Sequence, residues 1–205
     1  MVYRASFRYG EDMKSFLDLA TNRRSVRKYK SEPVPEEVLM RILTAGQMAP
    51  SGNNSQPWRF IIVNDAKTKE ELFKVAGRQE WILSAPLTIA IVADLKAKLP
   101  QNRMDEEISI DDNRHINLLL KSVRDASIAA DHIVMAAADE GLGSCWIALY
   151  EQDDICPVLD VPRHCYVVAI VTIGYPDEKP DAKPRKRLSD IASWNSFKRN
   201  PWSCA

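Results

Sequence analysis

Two apolar runs, Leu87 to Ala93 and Tyr166 to Ile173, constrain the fold more than any other feature of this chain. A strand with one wet face alternates apolar and polar residues, whereas a strand apolar along its whole length must be covered on both faces. Phe60 to Val63 is a shorter run of the same kind, and Ser144 to Leu149 reads as a further short strand. The helices that would cover such a sheet are visible too. From His115 to Glu140, Leu119, Val123, Ala126, Ala130, Ile133, Val134 and Ala137 recur at helical spacing, with Gly141 as a natural stop. Asp12 to Thr21 places Met13, Phe16, Leu17 and Ala20 at the same spacing. Pro35 begins another helix, Glu36 and Glu37 favour its positive end, and Val38, Leu39, Ile42, Leu43 and Ala45 mark its buried face. The pattern predicts an α+β domain, a mainly antiparallel central sheet flanked by helices.

A length of 205 residues fits one domain with a good-sized core, and no internal repeat or second domain is visible. The 28 basic and 28 acidic residues cancel, which argues against nucleic acid or a membrane surface as a partner. No apolar stretch is long enough to span a bilayer, and the first residues lack an apolar signal core, so a cytoplasmic location is expected. The four cysteines, Cys145, Cys156, Cys165 and Cys204, form no C-x-x-C pair and have no histidine pair at zinc spacing. Reduced, mostly buried thiols are expected, and no metal. His115, His132 and His164 are widely separated and read as surface or satisfied histidines, and Asp139-Glu140 as a solvated helix end.

Chemistry concentrates in two places. The segment from Met48 to Phe60 packs Pro50, Ser51, Gly52, Asn53, Asn54, Ser55 and Gln56 between a helix and a strand. Such a cluster reads as a tight loop, and its amides and hydroxyls suit hydrogen bonding to a planar, heteroatom-rich ligand. Upstream, Arg23-Arg24-Ser25-Val26-Arg27 supplies three guanidinium groups and a hydroxyl, which suits a phosphate. A solvated basic patch and a self-satisfied loop are the plain alternatives.

These two blocks, with Glu140-Gly141-Leu142-Gly143-Ser144-Cys145-Trp146-Ile147, Ile173-Gly174-Tyr175-Pro176 and Lys183-Pro184-Arg185-Lys186, closely resemble the FMN-dependent nitroreductase family in content and order. The resemblance covers most of the chain. It implies an intertwined homodimer with FMN sites at the interface and a C-terminal extension, residues 188–205, that packs on the partner subunit. Trp194, Phe197 and Trp202, set among polar residues in that stretch, are consistent with a surface that must be buried somewhere.

The resemblance assigns the cofactor's phosphate and ribityl chain to Arg23, Ser25 and Arg27, with Arg24 adjacent and Arg185 and Lys186 added from near the C-terminus. Lys28, Lys30 and Arg187 are expected to be solvated. Pro50, Ser51 and Asn54 from one subunit lie near the ring, with Gly52 allowing close backbone approach. Gln56 either touches the cofactor or, like Asn53 and Ser55, satisfies its own loop. Trp146, Ile147 and Ala148 line one ring face; Ala148 stands where some members carry Glu, and Trp146 either narrows the pocket or is an ordinary core aromatic.

No catalytic side chain is implied. NADH or NADPH delivers hydride to FMN and leaves, and a nitroaromatic, quinone-like or other small organic acceptor then enters the same pocket. The cofactor carries the difficult chemistry and the protein supplies placement. Two alternatives fit the residues less closely. A reductive dehalogenase-like flavoenzyme would clasp its substrate with acidic, tyrosyl and basic lid groups, and the polar Lys96–Arg114 segment has no tyrosine. A non-catalytic FMN-binding redox sensor would have its nicotinamide site closed, with Trp146 and the aromatic tail as the closing groups.

Overall fold

The computed structural model describes residues 15–197. Along the chain these form α1 (Phe16–Asn22), α2 (Glu36–Gln47), β1 (Trp58–Val63), α3 (Ala66–Val75), α4 (Trp81–Ser84) and β2 (Leu87–Asp94). There follow α5 (Ile116–Asp139), β3 (Gly143–Ile147), α6 (Gln152–Val158), β4 (Cys165–Gly174) and α7 (Leu188–Ile191). The strands make one sheet in the order β1-β2-β4-β3. Every neighbouring pair is antiparallel. The fold is therefore the expected α+β arrangement. No helix among the described residues is long and apolar enough to cross a membrane.

The apolar runs become the two central strands because both faces of the sheet are covered. Ile89 and Ile91 of β2 pack with Ile42 of α2 and with Ala126, Ala130, Ile133 and Ala137 of α5. Ala90 and Val92 point the other way, onto Leu72 of α3, Ile82 of α4 and Ile155 of α6. This is the alternation of a pleated strand buried on both sides. In β4 the alternation breaks once. Ile91 pairs with Ala169 but Val92 pairs with Val167, so Val168 is an extra residue, a bulge. The bulge lets Val167 and Ile170 share one face despite their odd spacing. The small residues of α5 let it lie close to α2 and the sheet, and Gly141 ends it with φ 77°, a left-handed conformation suited to glycine.

Some boundaries differ from expectation for identifiable reasons. Pro35 has extended backbone and stands just before the first turn of α2. The strand expected over Ser144 to Leu149 pairs with β4 only through Ile147, so Ala148 and Leu149 leave the sheet. The 96–114 segment is not plain loop: it holds short 3₁₀ turns at Leu95–Lys98, Gln101–Arg103 and Asn113–His115. The Asp94 and Asp112 carboxylates cap two of these turns by accepting the N–H of Lys96 at 3.0 Å and of Arg114 at 2.9 Å. The Asp177–Arg187 stretch has no helix or strand, as its composition suggests. After it, Trp194 is 64% and Phe197 100% exposed, so neither is buried among the described residues. Met13, Trp202 and Cys204 lie outside the described residues.

Candidate active site

The arginine segment runs along the outer edge of β3. Ser25 makes a parallel bridge with Ser144, and the Val26 N–H donates to the Ser144 carbonyl at 3.0 Å. The buried Tyr29 hydroxyl donates to the Val26 carbonyl at 2.7 Å, and burial raises its pKa, which keeps it a donor. Gly143 permits the close approach, since a methyl group there would sit 2.7 Å from Val26 Cβ. Gly143→Ala is therefore expected to cost about 1–3 kcal/mol and to push the segment off the sheet edge. Thermal unfolding together with retention of a bound phosphate ligand would check this, and an unchanged protein on both counts would remove the role assigned to Gly143.

The chain after β4 folds back over this segment. The Lys30 N–H donates to the Tyr175 carbonyl and the Asp177 N–H to the Lys28 carbonyl, both at 2.9 Å. The Arg27 N–H donates to the Glu178 carboxylate at 2.5 Å. These clamps close a cleft of about 510 Å³ lined by Arg23, Arg24, Ser25, Arg27, Lys183 and Arg185. Among the described residues, Asp181 is the only acid that lines it. Arg23, Arg24, Ser25 and Arg27 of the N-terminal segment thus line one cleft with Arg185. Lys183, not Lys186, is the second cation from the C-terminal segment. The Arg27 guanidinium lies 5.2 Å from the centre of the Trp81 ring, a cation–π contact that fixes its plane. Arg24 donates to the Thr21 and Arg23 carbonyls, which ties its head to its own turn.

The loop before β1 lies elsewhere. Asn53, Asn54 and Gln56 have φ of 57°, 53° and 46°, left-handed values that asparagine tolerates well and glutamine poorly. The loop is held in this shape from inside and outside. Ser51 Oγ accepts the Gln56 N–H at 3.0 Å, and Gln56 Nε2 donates to the Asn54 carbonyl at 3.3 Å. Asp125 of α5 accepts the Gly52 N–H at 2.9 Å and pairs with Lys98 Nζ at 2.5 Å, while Lys98 also donates to Ser55 Oγ at 2.9 Å. The Lys98 and Asp125 side chains are only 9% and 10% exposed. Ser55 and Gln56 therefore spend their side chains on the loop and its supports. Pro50, Gly52, Asn53, Asn54 and Gln56 are exposed, and Ser51 is half-buried.

Beyond the arginine segment, β3 carries the third group of expected contacts. Trp146 is 40% exposed, which sets aside the core-aromatic reading, and Ala148 is exposed. Ile147 departs from expectation. Its side chain is buried among Ala90, Val92 and Ile170, so only its backbone is left for a ligand. The reason is strand alternation: between two outward neighbours, Ile147 must point inward. Burial raises the Cys145 pKa, so this thiol is not activated.

The described cysteines are free thiols. Asp94, His164 and Cys165 bring potential ligand atoms within 4.8 Å of one another. Burial pushes the Cys165 thiol up to about 12, and Asp94 already pairs with Arg59 at 2.9 Å. His115 and His132 each face a backbone carbonyl at 3.2 Å, the satisfied state expected of them. Glu140 makes a two-point ion pair with Arg41, which holds its carboxyl below the usual range.

In the sheet order, β1 and β3 are opposite edges. Trp58 stands level with Ala93 and Tyr166, while Ser144 stands level with Ile173. The loop and the arginine cleft thus occupy diagonally opposite corners, roughly 25 Å apart by strand spacing and rise. Within one chain they cannot grip one small molecule.

A family model described as the nitroreductase family matches residues 20–175. An NADH dehydrogenase of Thermus thermophilus is 30% identical over 193 residues, covering 85% of this chain and 93% of its own length. An FMN reductase [NAD(P)H] of Bacillus subtilis is 30% identical, covering 84% of this chain and 70% of its own. The solved structure of B. megaterium NfrA2 superposes with a TM-score of 0.81 at 29% identity, over 90% of this chain and 76% of that one.

Proposed function

The chain belongs to the nitroreductase family, and from that premise we propose that it is an FMN-dependent NAD(P)H oxidoreductase acting on small organic acceptors, nitroaromatic or quinone-like, as a homodimer. Bound FMN supplies the two-electron relay from NADH or NADPH to the acceptor. The donor set of the chain fits that group. Arg23, Arg27, Lys183 and Arg185 converge with Ser25 on one cleft, the chemistry a phosphate needs. Ser144 to Trp146 continue from that cleft along β3, where Trp146 and Ala148 offer a face for a flat ring. Pro50, Ser51, Gly52 and Asn54 offer backbone and amide groups for its polar edge.

The observation that carries the reading is the diagonal separation of these two half-sites on the sheet. Each half is shaped and supported, and neither is a site alone. A second copy that brings its loop to the β3 edge of the first completes both sites at once, because the pairing of like chains is reciprocal. The exposed Trp194 and Phe197 supply apolar surface for such a partner. Residues 188–205 are accordingly read as an extension that wraps the second subunit.

In this arrangement Arg23 and Arg27 neutralise and orient the phosphate. The left-handed loop, held by Asp125, presents its groups without rearrangement on binding. Anaerobic titration of the purified protein with NADH and then NADPH tests the function. A flavin absorbance band is expected to bleach on a turnover timescale, and the faster donor identifies the preferred dinucleotide. A band that fails to bleach with either donor would exclude the oxidoreductase reading and leave a flavin-binding sensor.

A further inference from the structure

A second cavity, of about 680 Å³, adjoins the ring loop. Gly52, Asn53 and Ser55 form one wall, and Lys98, Lys121 and Arg124 stand among the residues of the other. Among the described residues Asp125 is the single acid that lines it, and its carboxylate is taken up by Lys98 and the Gly52 N–H. The Lys121 and Arg124 side chains have no ion pair or hydrogen bond among the described residues. They lie three positions apart on α5, so both project from one helix face. A chain with 28 basic and 28 acidic residues thus leaves two uncompensated cations beside the loop read as the ring cradle. A concave site lined by one sign of charge concentrates ligands of the other sign.

We propose that this cavity receives the anionic part of a ligand bound alongside the ring loop. The group is a carboxylate, a sulfonate or a diphosphate, and Lys121 and Arg124 recognise it. The inference rests on reading residues 50–56 as the ring cradle. Two sources share this chemistry, the diphosphate of the dinucleotide and an acceptor that carries an acid group. The oxidised protein, as isolated, is titrated calorimetrically at low salt with three probes. ADP-ribose carries the diphosphate without nicotinamide, 4-nitrobenzenesulfonate carries an acid group, and nitrobenzene carries none. The same titrations are run on Lys121→Glu/Arg124→Glu and on Lys67→Glu, a surface control on α3 across the sheet.

The double variant is expected to weaken at least one anionic probe on the order of tenfold, with nitrobenzene unchanged. Loss confined to ADP-ribose assigns the cavity to the donor, and loss confined to the sulfonate assigns it to the acceptor. Equal loss for nitrobenzene, or no loss beyond that of the Lys67 control, overturns the proposal. Binding does not require reduction. Charge-dependent binding by a protein whose flavin never bleaches would therefore count against the oxidoreductase reading alone.

Discussion

Asp125→Ala is expected to lower the free energy of unfolding by about 3–5 kcal/mol, the usual cost of stranding one member of a buried ion pair. Asp125 serves two donors at once, the Lys98 ammonium and the Gly52 N–H. Without it, a cation only 9% exposed has no counter-charge, and the loop loses its tie to α5. Three residues of that loop have left-handed backbone, so relaxation of this strain offsets a small part of the loss. Lys98→Met combined with Asp125→Leu should recover much of the loss, because the stranded charge is gone. Urea unfolding of the single and double variants reads both numbers. A loss for Asp125→Ala of less than about 1 kcal/mol would place the pair with ordinary surface bridges.

The second large effect is on cofactor retention. Arg23→Ala/Arg27→Ala removes two guanidinium groups from the cleft. Hydrogen bonds to charged groups contribute about 1.5–3 kcal/mol, so each loss should raise the FMN dissociation constant roughly 10- to 150-fold. The fold should persist, because neither side chain belongs to the buried core. Lys186→Ala is the matched comparison, since Lys186 does not line the cleft and its removal should change little. Fluorescence titration of FMN into the apoprotein measures all three. A dissociation constant that does not move in the double variant would refute the phosphate assignment.

The legible parts of the fold are those written in local pattern. Leu87–Ala93 and Tyr166–Ile173 read correctly as strands because burial on both faces leaves an unbroken apolar run. The long helix and its stop at Gly141 read correctly because periodicity and backbone preference agree there. Helices α3 and α6 went unread. The first has a modest apolar stripe, and its start depends on the Asp65 side chain accepting the Thr68 N–H. The second is short and carries Pro157 within it.

The residues gathered at the candidate site divide along the same line. Arg23, Ser25, Arg27 and the Pro50–Gln56 loop announce themselves by composition. Lys98, Asp125, Trp81 and Glu178 do not, because each acts through a partner far along the chain. An acidic residue inside a helical pattern gives no hint that it holds a glycine N–H seventy-three positions upstream. Ile147 shows the reverse error. Its neighbours are outward, and only the sheet's alternation reveals that its side chain is not.

If two copies pair as proposed, the diagonal placement of the two half-sites makes cofactor occupancy a collective property. Under the proposed pairing, a lone chain offers FMN a grip on the phosphate and nothing for the polar edge of the ring. Dilution that separates the chains then also sheds the cofactor, and abundant cofactor holds the chains together, the two equilibria being linked in equal measure. Such a protein would tie its activity to its own concentration, and its flavin would part from the protein on dilution before any chain unfolds.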